Sequence, residues 1–217
     1  MGFSAVLFDF DGTLANSYPA ITASANHVLS HYGKPPISED HLRILVGHGL
    51  EHLMDTLLPG INPEEAAAIY REHHPSVMFS HTELLPGVEV GLAQLHQRGV
   101  KMGVCSNKPS YFTQELCRGL NIQHYFATVL GPDLVPQPKP AADMVHSAIE
   151  TLQANPASTL FVGDMIVDIQ TARNAQIPVW VVPTGSNSEQ DLLAAQPDRF
   201  FADMGALIDS ILNSNHH

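Results

Sequence analysis

Short apolar runs of strand length, each halted by a polar or glycine-containing step, recur along this chain: Ala5 to Phe8, Met102 to Cys105, Ala127 to Leu130, Leu160 to Val162 and Val179 to Val182. They are uninterrupted and rich in valine and leucine, as strands buried on both faces are. Between them lie segments with helical spacing and terminator signals, including one after Pro109 that stops at Gly119 and one from Ala141 to about Leu152. Strand alternating with helix predicts an α/β fold built on a doubly wound parallel sheet. Ligands of such sheets bind outside the carboxyl ends of the strands. The residues to inspect are therefore those just beyond each run: Asp9, Ser106, Gly131, Asp164 and Thr184.

The alternation fails once. From Ser17 to Thr82 there are helix patterns and no convincing strand: Ile21, Ala25, Val28 and Leu29 share a helical face, and Asn62-Pro63-Glu64-Glu65 reads as an N-cap, a proline at N1 and an acid at N3. This predicts an all-helical cap over residues 17–82, inserted into a core made of residues 1–16 and 83–217, with Pro86-Gly87 near the return. A chain of 217 residues has room for one core plus such an insertion.

Ten basic against 22 acidic side chains give a formal charge of −12, which disfavours extended contact with nucleic acid or anionic membranes. No run approaches the roughly 20 apolar residues that span a bilayer, so a soluble, cytoplasmic protein is expected. Cys105 and Cys117 form no CxxC pair and read as reduced packing residues. His216 and His217 end the sequence and are set aside from the functional argument.

The strongest chemical signal is Asp9-Phe10-Asp11-Gly12-Thr13-Leu14 at the end of the first run. Gly12 permits a sharp turn, so that Asp9 and Asp11 can both face the crevice mouth. An isolated pair of this kind also occurs in turns and helix caps. Here a second acidic segment, Gly163-Asp164-Met165-Ile166-Val167-Asp168, stands at another strand end. Carboxylates converging from both ends repel one another unless a cation binds or one stays protonated. An all-oxygen set suits Mg²⁺, which is commonly shared with substrate phosphate. For the phosphate itself, Ser106-Asn107 offers a hydroxyl, an amide and backbone N–H groups ahead of a helix, and Lys139 is flanked by Pro138 and Pro140.

These four segments, in this order, resemble the haloacid dehalogenase superfamily of phosphatases. Cys105-Ser106-Asn107-Lys108-Pro109, Gly131-Pro132-Asp133 and Pro138-Lys139-Pro140 are similar to its phosphoglycolate phosphatase-like branch. The resemblance implies that Asp9 attacks phosphorus and that Asp11 serves as acid and then base. It implies that Mg²⁺ is held by Asp9, the Asp11 backbone carbonyl and Asp164 with Asp168 assisting, and that Ser106 and Lys139 grip the phosphoryl oxygens. Thr13 is expected to orient Asp11 or the loop and, with Asn107, to belong to the phosphate site. The substrate implied is a small phosphorylated metabolite, 2-phosphoglycolate first. A sugar phosphomutase, a nucleotide or pyrophosphate phosphohydrolase and a non-catalytic phosphate-binding protein are the alternatives on the same fold. Two departures stand out: Asn16-Ser17 where relatives often have Asp-Ser, and Gln176 where glycine is usual after the helix.

Other segments compete for attention. His48-Gly49-Leu50-Glu51-His52 matches a zinc-peptidase pattern, but glycines at 47 and 49 argue against a regular helix there, and no third ligand is apparent. A bend in the cap facing the active site is the expectation. His73 and His74 are expected on a solvated helix. Arg43 is the cap cation expected to meet a substrate anion, and Lys34, beside Pro35-Pro36, fits a phosphonate hydrolase poorly. Oligomeric state is not legible.

Overall fold

The computed structural model describes residues 2–214; His216 and His217 lie outside them. Among the described residues eight strands form: β1 Ala5–Phe8, β2 Ala15–Asn16, β3 Glu83–Leu84, β4 Lys101–Cys105, β5 Thr128–Leu130, β6 Thr159–Gly163, β7 Val179–Val181 and β8 Arg199–Phe200. Six of them make the parallel sheet, ordered β5-β4-β1-β6-β7-β8. The register sets Phe8 opposite Val104 on one side and Val162 on the other. The carboxyl ends of β1, β4 and β6 are therefore level, and Asp9, Ser106 and Asp164 emerge along one rim. The strand order reverses about β1, which places the ligand crevice there.

The helices are α1 Tyr18–His31, α2 Glu39–Arg43, α3 Leu50–Leu57, α4 Pro63–His73, α5 Val88–Gln97, α6 Ser110–Gly119, α7 Asp143–Leu152, α8 Ile166–Asn174, α9 Glu189–Ala194 and α10 Met204–Ser214. Successive residues of a strand face opposite sides of the sheet. Ala5 and Leu7 accordingly join one apolar cluster with Met144, Val145 and Ala148 of α7 and Ile169 and Ala172 of α8. Val6 and Phe8 join another with Leu92 and Leu95 of α5 and Leu207, Ile208 and Ile211 of α10. That second cluster runs on into α1, α3 and α4, so the helical segment and the sheet share buried apolar surface.

The four helices α1 to α4 leave and rejoin the sheet through a two-stranded antiparallel clip, Ala15 opposite Leu84 and Asn16 opposite Glu83. Ile21, Ala25, Val28 and Leu29 are buried along α1, as their spacing requires. At the start of α4 the Asn62 side chain accepts from Glu64 N at 3.0 Å and Pro63 occupies the first turn. Gln176 has φ of 56°, the left-handed conformation that glycine adopts without strain.

Two expectations are corrected. His74 is not on a solvated face: it is fully buried, with Nδ1 2.9 Å from Ser24 Oγ, while His73 is half-buried and stacked on His27. Burial, then the charges of Lys108 and His73, pushes the His74 imidazole down to about 2, so the ring is neutral. The edge strand β8 went unrecognised, because two residues carry no periodicity; it is held by the ladder to β7 and by Arg199 over Trp180 at 5.1 Å.

Candidate active site

Asp9 is the first residue beyond β1. Its N–H still donates to Val162 O at 2.9 Å, and its Oδ1 accepts from Phe10 N at 2.7 Å. Gly12 turns the chain with φ of 86°, and a Cβ there would lie 2.4 Å from Asp164 Oδ2. The same carboxylate crowds Gly185, where a Cβ would come within 1.6 Å of Oδ2. Glycine at these two positions is what leaves room for Asp164.

Asp164 is completely buried; Thr13 Oγ1 donates to its Oδ1, and Oδ2 has no partner. Thr13 is thus a support for Asp164; it is itself fully buried and does not line the pocket described below. Asp168 stands in the first turn of α8. Its Oδ2 accepts from Asp164 N at 3.1 Å and Met165 N at 3.0 Å, and its Oδ1 meets Lys139 Nζ at 2.7 Å. Lys139 also reaches Asp9 Oδ1 at 3.1 Å. Asn107 fixes the lysine segment: its Oδ1 accepts from Lys139 N at 2.9 Å, and its Nδ2 donates to Lys139 O and to Gly47 O, each at 3.0 Å. With its amide so occupied, Asn107 ties the lysine loop to the helical segment above.

Carboxylate oxygens of Asp9, Asp164 and Asp168 all lie within 4.8 Å of one another. The Asp9 carboxyl is raised to about 6: burial drives the rise, Lys139 opposes it, and Asp168 adds to it. Asp164 is held well above the carboxylate range by burial and by its two acidic neighbours, with Thr13 and Lys139 opposing. Burial alone would lower Lys139, but Asp168 and Asp9 outweigh it and keep the ammonium protonated. Three acids facing one lysine leave surplus negative charge, and the orphaned Oδ2 of Asp164 is a buried acceptor awaiting a donor or a cation. Hard, all-oxygen ligands fit a divalent ion of the Mg²⁺ or Ca²⁺ kind.

The Asp11 carboxylate is not one of these three and has partners of its own. Its Oδ1 accepts from Ser17 Oγ, and Lys108 Nζ lies 3.2 and 3.4 Å from its two oxygens. Asp9, Asp11, Ser106, Asn107 and Lys108 form the polar floor of a pocket. Ile21, Val46, Leu50 and Leu53 roof it from α1, α3 and the loop before α3, with Tyr70 the polar contribution of α4. Phe112 and Met165 complete the walls.

Arg43 is not brought to the pocket. Its guanidinium lies 4.0 Å over the Tyr18 ring, donates to Thr184 O at 3.2 Å and pairs with Glu39. Lys34 is exposed. His48 precedes α3, whose N-cap is Gly49 at φ 96°, and Glu51 is paired with Arg71, so this segment supplies no ligand set. Among the described residues the aspartates are the group placed to hold a metal. Lys108, Ser17 and Tyr70 went unrecognised as site residues. Lys108 carried a legible signal, since it stands two residues beyond Ser106 on the same post-strand turn.

Residues 6–182 match the family model described as haloacid dehalogenase-like hydrolase. The chain belongs to this family. A phosphoglycolate phosphatase of Psychrobacter arcticus is 32% identical over 220 residues, covering 96% of each chain. One of Vibrio cholerae is 31% identical over 219 residues, covering 96% of this chain and 97% of the relative. A crystal structure described as a predicted phosphoglycolate phosphatase from Haemophilus somnus superposes with a TM-score of 0.89 at 26% identity, covering 96% of this chain and 97% of that one. Family membership and full-length phosphatase relatives make this haloacid dehalogenase-like hydrolase a phosphoric monoester hydrolase. No described helix is long and apolar enough to cross a membrane.

Proposed function

We propose that this enzyme is a Mg²⁺-dependent phosphatase of small phosphomonoesters, with 2-phosphoglycolate the first candidate, working through an aspartyl-phosphate on Asp9. The observation that carries this reading is a single buried carboxylate, Asp9, set between the Lys139 ammonium at 3.1 Å and the acidic group of Asp164 and Asp168, at the floor of a pocket that also holds Asp11. The phosphoglycolate phosphatase relatives supply the substrate candidate.

In this mechanism a carboxylate oxygen of Asp9 forms a bond to phosphorus while the bond from phosphorus to the ester oxygen breaks. Asp11 donates its proton to the departing oxygen, then takes one from the water that attacks the aspartyl-phosphate and frees inorganic phosphate. Ser106 and Lys139 hold phosphoryl oxygens, and Lys139 is kept cationic by Asp168. Asp168 and Thr13 position Lys139 and Asp164. Asp9, Asp164 and the Asp11 carbonyl, with Asp168 assisting, would hold Mg²⁺, which would supply charge neutralisation to the transferring group. Residues 17–82 act as the cap, with residues 1–16 and 83–217 as the core; the clip of β2 and β3 gives the cap paired entry and exit strands. Two buried free thiols, Cys105 and Cys117, accord with a reducing cytoplasm.

The test is phosphate release from a panel of phosphorylated metabolites with and without Mg²⁺. Release restricted to small esters, abolished by EDTA and restored by Mg²⁺, is expected. Turnover that persists in EDTA removes the metal from the reading.

A second outcome follows from the raised Asp9 carboxyl, whose folded value of about 6 exceeds its unfolded 3.8. The folded state then binds the extra proton between these values, so cation-free stability falls as pH rises through 4 to 6. Saturating Mg²⁺ is expected to raise Tm strongly at pH 7.5 and weakly at pH 5, where protons compete for the same oxygens. Equal shifts at the two pH values would separate the ion from this carboxylate group.

A further inference from the structure

We propose that Lys108 is the specificity-determining residue of the pocket, receiving a negatively charged group carried by the leaving part of the substrate close to the ester oxygen. The inference rests on the phosphatase reading and narrows it to short phosphorylated hydroxy acids.

The floor has two ammonium groups with different commitments. Lys139 is wedged between two carboxylates, Asp9 at 3.1 Å and Asp168 at 2.7 Å, with 1% of its side chain exposed. It belongs to the phosphoryl end. Lys108 also lines the pocket, with 5% of its side chain exposed, but it meets a single acid, Asp11, across distances of 3.2 and 3.4 Å. An ammonium has three donors, and one carboxylate at these distances leaves capacity on the pocket side. Asp11 already accepts from Ser17 Oγ as well, so its charge is shared between two donors.

Position then decides the role. Asp11 is the group that must stand beside the ester oxygen to give it a proton, and Lys108 Nζ stands 3.2 Å from Asp11 Oδ1, whose carboxylate is not one of the three metal-competent aspartates. A substituent one or two bonds from that oxygen is therefore next to Lys108. The remaining walls include Ile21, Leu50, Leu53 and Phe112, with Tyr70 added from α4. Such walls leave the hydroxyls of a sugar or nucleoside without partners, which costs binding. They also strip water from Lys108, which strengthens its attraction for a carboxylate.

The experiment compares three esters of equal length, 2-phosphoglycolate, 2-hydroxyethyl phosphate and phosphoethanolamine, in the wild type, Lys108→Met and Lys108→Arg, each checked for an intact thermal transition. The wild type is expected to show the highest kcat/KM on the acid and the lowest on the amine. Lys108→Met is expected to reduce the acid-to-neutral ratio by about 10- to 100-fold, mainly through KM, and Lys108→Arg to restore most of it. A Lys108→Met enzyme that loses activity equally on acid and neutral esters overturns the proposal and makes the lysine a support for Asp11 alone. So does a wild type that hydrolyses the neutral ester as well as the acid, a result independent of how the variants fold. Mg²⁺-responsive wild-type protein that releases phosphate from none of the three, nor from larger esters, sinks the phosphatase reading itself.

Discussion

Asp9→Asn is expected to leave the fold intact and to lower phosphate release by at least about 10⁴-fold, the scale on which loss of a covalent nucleophile is felt. The amide has nearly the carboxylate's shape, and its oxygen can still accept from Phe10 N. It lacks the charge that attacks phosphorus. The stability outcome has a definite sign. Burial places the Asp9 carboxyl near 6, so its ionised form weakens the cation-free folded state above that pH, with unfolded-state ionisation complete. An amide removes this cost. Metal-free Asp9→Asn should therefore melt no lower than the wild type at pH 7.5, and should gain less from added Mg²⁺. Phosphate release and thermal melts on the two proteins measure both effects, and substantial turnover by the variant would remove Asp9 from the nucleophile's role.

What the sequence revealed and what it concealed divide along a physical line. Asp9, Ser106 and Asp164 were legible because each stands one step beyond an apolar strand, and parallel register alone aligns such residues on one rim. The helical insertion was legible because Ile21, Ala25, Val28 and Leu29 keep helical spacing. Pairings between distant segments leave no periodic trace. Lys108 meets Asp11 across 97 positions and Thr13 meets Asp164 across 151, so the sequence gives no sign of either pairing, and Thr13 reads there as orienting Asp11 or the loop. Arg43 looked like a substrate contact because it is a rare cation in an acidic cap, and local chemistry cannot show that Tyr18, Glu39 and Thr184 already hold it. In the sequence Asp168 reads as assisting a metal; its position in the first turn of α8 gives it a backbone-capping task and the lysine as well.

Lys139→Met carries the second large effect, and it acts on stability as much as on chemistry. The ammonium is buried between Asp9 and Asp168, and removing it leaves two desolvated carboxylates without their counter-charge. Breaking a buried pair in this one-sided way costs about 3–5 kcal/mol, which for a chain of this size lowers Tm by roughly 10 °C. The deficit should depend on pH in a stated direction. Lys139 is the attraction that pulls Asp9 back from the rise imposed by burial, so in the variant that carboxyl moves above 6. Below the wild-type value Asp9 is protonated in either protein, and the lysine has less to compensate. The gap between wild type and Lys139→Met is therefore expected to be widest near pH 8 and to shrink as pH falls through 6. Saturating Mg²⁺ should narrow it at high pH by restoring positive charge beside the same oxygens. Activity should fall to background throughout, because a methionine can neither hold a phosphoryl oxygen nor stabilise its charge. Thermal melts from pH 5 to 8, with and without Mg²⁺, read the whole pattern. A gap independent of pH would show that Lys139 supports the fold by packing alone, and that its charge is not what holds the acidic group together.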